Sequence, residues 1–123
     1  MKSKQIQPVS GYKDSVIAFG IDGLVYNNSA LYGIYNAGKA RETNAVIGYK
    51  LNKKKGSIQN EQVIDRGNSN FYDPTAAALF KNKLYVIANS HLSEYNANKE
   101  SIKGIEDKLL PAVVLVYDLK KYK

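Results

Sequence analysis

The feature that most constrains the fold of this chain is an internal repeat. Residues 22–36, DGLVYNNSALYGIYN, align without a gap on residues 75–89, TAAALFKNKLYVIAN, so that Leu31 falls on Leu84. Both copies carry apolar and aromatic residues in short runs separated by turn-forming residues, a pattern typical of β-strands. A chain that repeats a pair of strands is expected to build the same sheet unit twice.

Short strands dominate the rest of the sequence as well. Predicted strands cover residues 14–20, 22–28, 30–38, 44–52, 60–67, 75–81, 83–90 and 112–120. The segments between them include NNS, NAG, KKKGS, GNSN and KN, whose residues favour tight turns. Only residues 98–110 have helix-like apolar spacing, and we expect a loop there with one helical turn. Strands of this length joined by tight turns predict an antiparallel all-β protein.

The two copies define two sheet units. Residues 22–67 form a unit of four strands, and residues 75–120 form a second unit of three strands with a loop insertion at 91–111. Four-stranded antiparallel units repeated every ~40–50 residues are typical of β-propeller blades. We therefore predict an all-β fold, a partial β-propeller of about two and a half four-stranded antiparallel blades. In this division residues 1–13 are an N-terminal extension, 14–20 belong to a preceding blade, and 14–123 are propeller blades.

Charge and composition exclude several classes of partner. The net charge is +7, but the lysines gather in one turn and in the C-terminal tail. A nucleic-acid-binding surface requires basic residues along one face with aromatic residues between them, so we expect no nucleic acid partner. The absence of cysteine excludes disulfides and thiolate metal sites. Neither a signal peptide nor an apolar segment of membrane-spanning length is evident, so we expect no membrane partner, and the compartment stays unknown.

The segments FGIDGLVYNNSALYGIYNAG, AVIGYKLN and FYDPTAAALFKNKLYVIANSH resemble the last two blades of a six-bladed propeller of the gluconolactonase and regucalcin-like superfamily. In lactonases of that superfamily a divalent cation, commonly calcium, lies on the propeller axis and is held by Asp, Asn and Glu side chains. The resemblance implies that Asp22 is a metal ligand and a catalytic group in lactone hydrolysis. Thr75 takes the matching position in the second unit as a ligand-binding candidate, so this metal site would be incomplete. The alternative for Asp22 is an Asp-Gly turn at the start of a strand.

Three further residues are candidates for binding a small-molecule ligand. Asn36 and Asn89 end equivalent strands of the two units, and they either line a central tunnel or accept a left-handed backbone conformation. His91 is the only histidine, and it either faces the tunnel or lies in an ordinary loop. Ser90 precedes it, but neighbouring residues of a strand point to opposite faces, so a serine–histidine dyad is not expected.

Two functions from different classes fit these residues. The first is a fragment of a six-bladed propeller that acts as a non-catalytic scaffold, binding a small-molecule ligand or an interaction partner. The alternative is the C-terminal part of a calcium-dependent gluconolactonase-like hydrolase, and the sequence leaves open whether the chain is an enzyme. The missing blades or further copies of the chain are expected partners, because three copies of two blades would complete a ring.

Overall fold

The computed structural model of this chain describes residues 8–13, 20–37, 40–54 and 56–122, and they form two antiparallel sheets. The first sheet holds β1 (Ile21–Asn27), β2 (Ala30–Tyr35), β3 (Ala45–Asn52) and β4 (Ser57–Arg66), and the second holds β5 (Ala77–Phe80), β6 (Lys83–Ile87) and β7 (Val114–Asp118). Each sheet is a meander in chain order, and the sheets do not close into a ring. The predicted antiparallel all-β class is confirmed, whereas all but the last residue of the predicted strand at 14–20 lies outside the described residues.

Two-residue turns close the first hairpin of each sheet. Asn28 and Ser29 join β1 to β2 with φ angles of 48° and 67°, and Lys81 and Asn82 join β5 to β6 with φ angles of 47° and 60°. Two successive positive φ angles characterise the type I′ turn, whose twist matches that of the flanking strands and which favours asparagine. The NNS and KN segments therefore reverse the chain where the sequence predicts a turn.

The strands of the two sheets pair in equivalent register. Leu31 of β2 lies opposite Tyr49 of β3, and Leu84 of β6 lies opposite Tyr117 of β7. Leu84 is the residue that the sequence alignment places on Leu31, so the same pattern of side chains is presented twice. Because register determines which side chains share a face, positions that the repeat aligns point to equivalent faces of their own sheets.

The main hydrophobic core lies between the two sheets. Its buried members are Tyr32, Ile34, Val46, Phe71, Leu84, Val86, Ala88 and Leu119. Successive side chains of β3 point to opposite faces of the sheet. Val46 therefore joins this core, while Ala45, Ile47 and Tyr49 form a second buried cluster. Phe71 is fully buried although it lies in the segment that connects the sheets.

Equivalent strands of the two sheets lie side by side. A Cβ atom at Gly23 of β1 would stand 2.4 Å from the carbonyl oxygen of Thr75, just ahead of β5, so glycine permits this close approach. At the opposite edge the Tyr117 hydroxyl of β7 donates to Asp65 Oδ2 of β4 over 2.8 Å. Burial and then this hydrogen bond raise the pKa of Tyr117, which keeps the phenol protonated. The close approach of Gly23 and Thr75 shows that both sheets begin at the same end of the molecule, and their first hairpins turn at the other end.

A long insertion separates β6 from β7. It contains the helix α1 (Leu92–Ala97) and a 3₁₀ turn at Glu106–Lys108, and a second 3₁₀ turn at Leu119–Tyr122 follows β7. The single helical turn expected within residues 98–110 corresponds to the first 3₁₀ turn, but α1 is not predicted from the sequence. A six-residue helix depends on tertiary contacts. Here Glu94 of α1 accepts a hydrogen bond from the Tyr72 hydroxyl.

The helices of the described part of the chain are all too short to cross a membrane as an apolar span.

Candidate functional site

Three of the candidate residues, Asp22, Asn36 and Thr75, meet at the end of the sheets where β1 and β5 begin. Asp22 lies in β1, Asn36 directly follows β2, and Thr75 precedes β5. The Thr75 hydroxyl and the Asn36 Nδ2 both donate to Asp22 Oδ2, each over 3.1 Å. The two positions that the repeat aligns, 53 residues apart, are thus in direct contact across the sheets.

A second carboxylate, that of Asp73, lies deeper in the same group. Its side chain is buried, with 3% of the residue exposed, and its Oδ1 accepts a hydrogen bond from Asn36 Nδ2 over 2.9 Å. Its Oδ2 accepts the backbone N–H of Ser93, at the start of α1, over 2.5 Å. We call Asp22, Asn36, Asp73, Thr75 and Ser93 the Asp73 cluster.

Hydrogen bonding lowers the pKa of Asp73. Burial alone would raise this pKa, because a low-dielectric surrounding disfavours the charged form. The hydrogen bonds from Ser93 and Asn36 outweigh that effect, and together they bring the pKa below its ordinary value of 3.8. Asp73 is therefore a charged group that holds its neighbours in place rather than a proton donor near neutral pH.

Ser90 and His91 do not form a catalytic pair. The Ser90 hydroxyl donates to the backbone carbonyl of Asp73 over 2.7 Å. His91 Nε2 accepts the backbone N–H of Leu110 over 3.0 Å, so the imidazole proton lies on Nδ1, 3.6 Å from Glu94 Oε2. A general base must reach the hydroxyl proton of its nucleophile, and here both groups are directed to other partners.

Asn89 is separate from the Asp73 cluster and holds the insertion against the second sheet. Its Nδ2 donates to the Pro111 carbonyl over 2.9 Å, and its Oδ1 accepts the Val113 backbone N–H over 2.6 Å. Together with His91 it lines a cavity of about 310 Å³ beneath the insertion. The two asparagines that the repeat aligns therefore have different surroundings, since Asn36 bonds to carboxylates and Asn89 to the backbone.

The Asp73 cluster as it stands does not fit a calcium ion. Calcium takes about 6–8 oxygen ligands. Asn36 directs its NH₂ group, rather than its oxygen, to Asp22 and Asp73. Across the described residues no three His, Asp or Glu side chains come together in a way that could hold a metal ion. The arrangement suits a hydrogen-bonded junction between the sheets.

Sequence reasoning missed the central member of the cluster. Asp73 aligns with Gly20 in the repeat, so the repeat offers no equivalent carboxylate. Its backbone φ of 61° is in the left-handed region that Asp tolerates better than most residues. The Asp73-Pro74 pair directly before a strand is the one signal that could have indicated a special backbone position here.

Comparisons of the chain with protein-family models, with curated proteins and with solved structures find no match. The resemblance to gluconolactonase-like propellers therefore stays a prediction.

Proposed function

We propose that this chain is a non-catalytic scaffold of the β-propeller type, in which two blade-like sheets stack and their outer faces pack against further sheets of the same kind. One observation carries the proposal, namely the apolar outer face of the second sheet. Val116 of β7 lies opposite Tyr85 of β6, which lies opposite Ala78 of β5, so the three side chains share this face. The alternate residues Val86 and Leu115 point the other way, into the core.

Large side chains of this outer face are open to solvent. Phe80 is 60% exposed, Val114 52%, Val116 51% and Ile87 38%. Contiguous apolar patches on soluble proteins commonly mark interaction sites, whereas single exposed apolar residues are ordinary. A sheet face of this composition is suited to packing against another sheet.

The outer side of the first sheet supports the same proposal. Leu24 and Tyr26 of β1 are each 57% exposed, and Val63 of β4 is 49% exposed. Both outer faces of the two-sheet stack thus offer apolar residues, as expected for units that have a neighbour on each side. The equivalent strand order and register of the two sheets agree with successive blades.

The non-catalytic part of the proposal rests on the hydrogen bonds of the candidate residues. Ser90 and His91 are directed to different partners, and the pKa of Asp73 is lowered, which leaves it ionised and unsuited to act as an acid. Such a group of residues lacks the nucleophile and base that acyl-transfer chemistry requires.

Light scattering behind a sizing column tests this proposal. We expect a particle heavier than the 13.7 kDa of one chain, because heterologous contacts between outer faces can close a ring. Val116→Glu places a charge on the outer face of the second sheet and should reduce the particle to a monomer. Ile102→Glu, at an exposed position of the insertion, is the matched control and should leave the mass unchanged. A wild-type chain that is monomeric at every concentration contradicts the proposal.

A calcium-dependent hydrolase is the second candidate. It is favoured because the carboxylates of Asp22 and Asp73 both accept a hydrogen bond from the Asn36 amide. A half-turn of the Asn36 amide would exchange its nitrogen and oxygen, bringing three side-chain oxygens to one point. Calorimetry with calcium chloride distinguishes the candidates. Binding that Asp22→Ala abolishes and the exposed control Asp107→Ala preserves would favour the hydrolase.

A further inference from the structure

A second cavity lies at the opposite end of the sheets from the Asp73 cluster. Its volume is about 420 Å³, within the range of about 300–1,000 Å³ typical of small-molecule sites. The β1–β2 turn and the β5–β6 turn contribute Asn28 and Asn82, and the 3₁₀ turn after β7 contributes Tyr122. Three separate elements thus surround one space, which none of the candidate residues from the sequence analysis lines.

The charged side chains of this cavity have one sign. Lys50 at the end of β3 and Lys120 in the C-terminal 3₁₀ turn both line it, and both are exposed. No Asp or Glu is found among its described lining residues. Two ammonium groups with no Asp or Glu among the described lining residues create a positive potential at the cavity, which favours an anionic occupant.

Side-chain amides are a further polar component of the lining. Asn28, Asn60, Gln62 and Asn82 come from both sheets. Each amide offers two N–H donors and one acceptor oxygen, so together they can bond hydroxyl or amide groups of a ligand without demanding a net charge. This polar composition distinguishes the cavity from an unfilled gap between apolar sheet faces.

Aromatic rings supply part of the apolar wall. Tyr32 is buried at the cavity, and burial raises the pKa of its phenol, which therefore remains a neutral hydroxyl. Tyr122 lines the cavity from the 3₁₀ turn, next to the buried Leu119. An apolar wall with a few converging polar groups is the usual composition of a small-molecule site.

We propose that this cavity binds a small organic oxyanion, a phosphate ester or a carboxylate whose body carries hydroxyl or amide groups. The oxyanion contacts Lys50 and Lys120 at the rim, and the body bonds to the side-chain amides and packs on the rings of Tyr32 and Tyr122. This site is independent of the outer sheet faces, so the assembly proposal and the present one can fail separately.

Calorimetric titration of the full chain with four probes tests the proposal. Ribose 5-phosphate and glucuronate carry both an oxyanion and hydroxyl groups, ribose carries only hydroxyl groups, and inorganic phosphate is only an anion. We expect saturable binding of at least one of the first two, and clearly weaker binding of ribose and of inorganic phosphate. Binding of ribose 5-phosphate alone assigns the site to phosphate esters, and binding of glucuronate alone assigns it to carboxylates.

Charge-matched variants locate the binding. The pair Lys50→Met and Lys120→Met should weaken binding about tenfold or more, equivalent to about 1.4 kcal/mol, because it removes both charged donors from the rim. The control pair Lys103→Met and Lys108→Met removes the same charge from exposed positions of the insertion. It should change the affinity less than twofold, which corresponds to about 0.4 kcal/mol. Asn60→Ala, at an exposed position of β4, should also weaken binding. Absence of binding by all four probes, or equal losses in the two lysine pairs, would overturn the proposal.

Discussion

The two ends of the sheet pair are built from different chemistry. Where β1 and β5 begin, the Asp73 cluster joins the sheets through carboxylates that accept hydrogen bonds from Asn36, Thr75 and Ser93. Where the hairpins turn, the sheets leave a cavity of about 420 Å³ whose lining includes Lys50 and Lys120 and no described carboxylate. The first end satisfies its polar groups internally, while the second directs its polar groups into a cavity.

This difference gives the two ends unequal expected contributions to the stability of the fold. A buried carboxylate whose oxygens accept hydrogen bonds contributes to folding, because the loss of its charge leaves donors without partners. An open cavity with exposed lysines contributes little to folding, because exposed charges are well solvated. We therefore expect substitutions at the Asp73 end to change stability most.

The largest expected effect is that of Asp73→Asn. This change keeps the size of the side chain and its tolerance of the left-handed backbone, but it replaces one acceptor oxygen by a donor. We expect the free energy of unfolding to fall by about 1.5–3 kcal/mol, measured by urea denaturation. The exposed Asp22→Asn is the control and should cost less than about 1 kcal/mol. Equal losses for the two variants would contradict the central position given to Asp73.

The pH dependence of stability gives a second test of the same end. The pKa of folded Asp73 lies below its ordinary value of 3.8, so its stabilisation is complete above about pH 4 and is lost as the pH falls through the folded pKa. The difference in unfolding free energy between wild type and Asp73→Asn should therefore shrink as the pH is lowered below 4. A difference that is constant from pH 7 to strong acid would show that the carboxylate charge is not responsible.

Removing the hydrogen bond between Tyr117 and Asp65 tests whether this link between the sheets stabilises the fold less than Asp73 does. Tyr117→Phe removes the hydroxyl, while Asp65 Oδ2 keeps its hydrogen bond from Asn68 over 2.9 Å. We expect a loss of about 1 kcal/mol in thermal or urea unfolding, less than for Asp73→Asn. Tyr95→Phe on the exposed insertion is the control, expected within about 0.5 kcal/mol of wild type. A loss for Tyr117→Phe larger than that for Asp73→Asn would reverse the comparison.

The smallest effect is expected at the turning end. Ser29 has a φ of 67°, a conformation that glycine adopts without the steric cost of a Cβ atom. Ser29→Gly creates an Asn-Gly type I′ turn and should raise the free energy of unfolding by about 0.5–1 kcal/mol. Ser29→Ala, which keeps the Cβ atom, should give no such gain. A lower melting temperature for the glycine variant would mean that the turn is not under this strain.

The strands could be predicted from the sequence because their signals are local. Apolar alternation and the turn residues of NNS and KN place β1 and β5 within two residues of their observed bounds, whereas β2 and β6 start as predicted and end three residues earlier. Strand β5 begins at Ala77, two residues later than predicted. The preceding Pro74 has no backbone N–H to donate, and the Thr75 N–H bonds irregularly to the Ile87 carbonyl over 3.2 Å. The candidate residues Asp22, Asn36 and Thr75 are brought together as the aligned strand ends would require.

What the sequence alone determined is thus the approximate set of strands and their turns, since each depends on neighbouring residues. Only the tertiary structure decided that Asp73 lies between the sheets, that Asn36 and Asn89 have different partners, and that α1 forms beside Tyr72. These features depend on the segment that connects the sheets and on the insertion, where the helix-like spacing of residues 98–110 indicates none of these contacts. Their positions are fixed by burial of Phe71 and by hydrogen bonds between residues distant in sequence, which a local pattern does not encode.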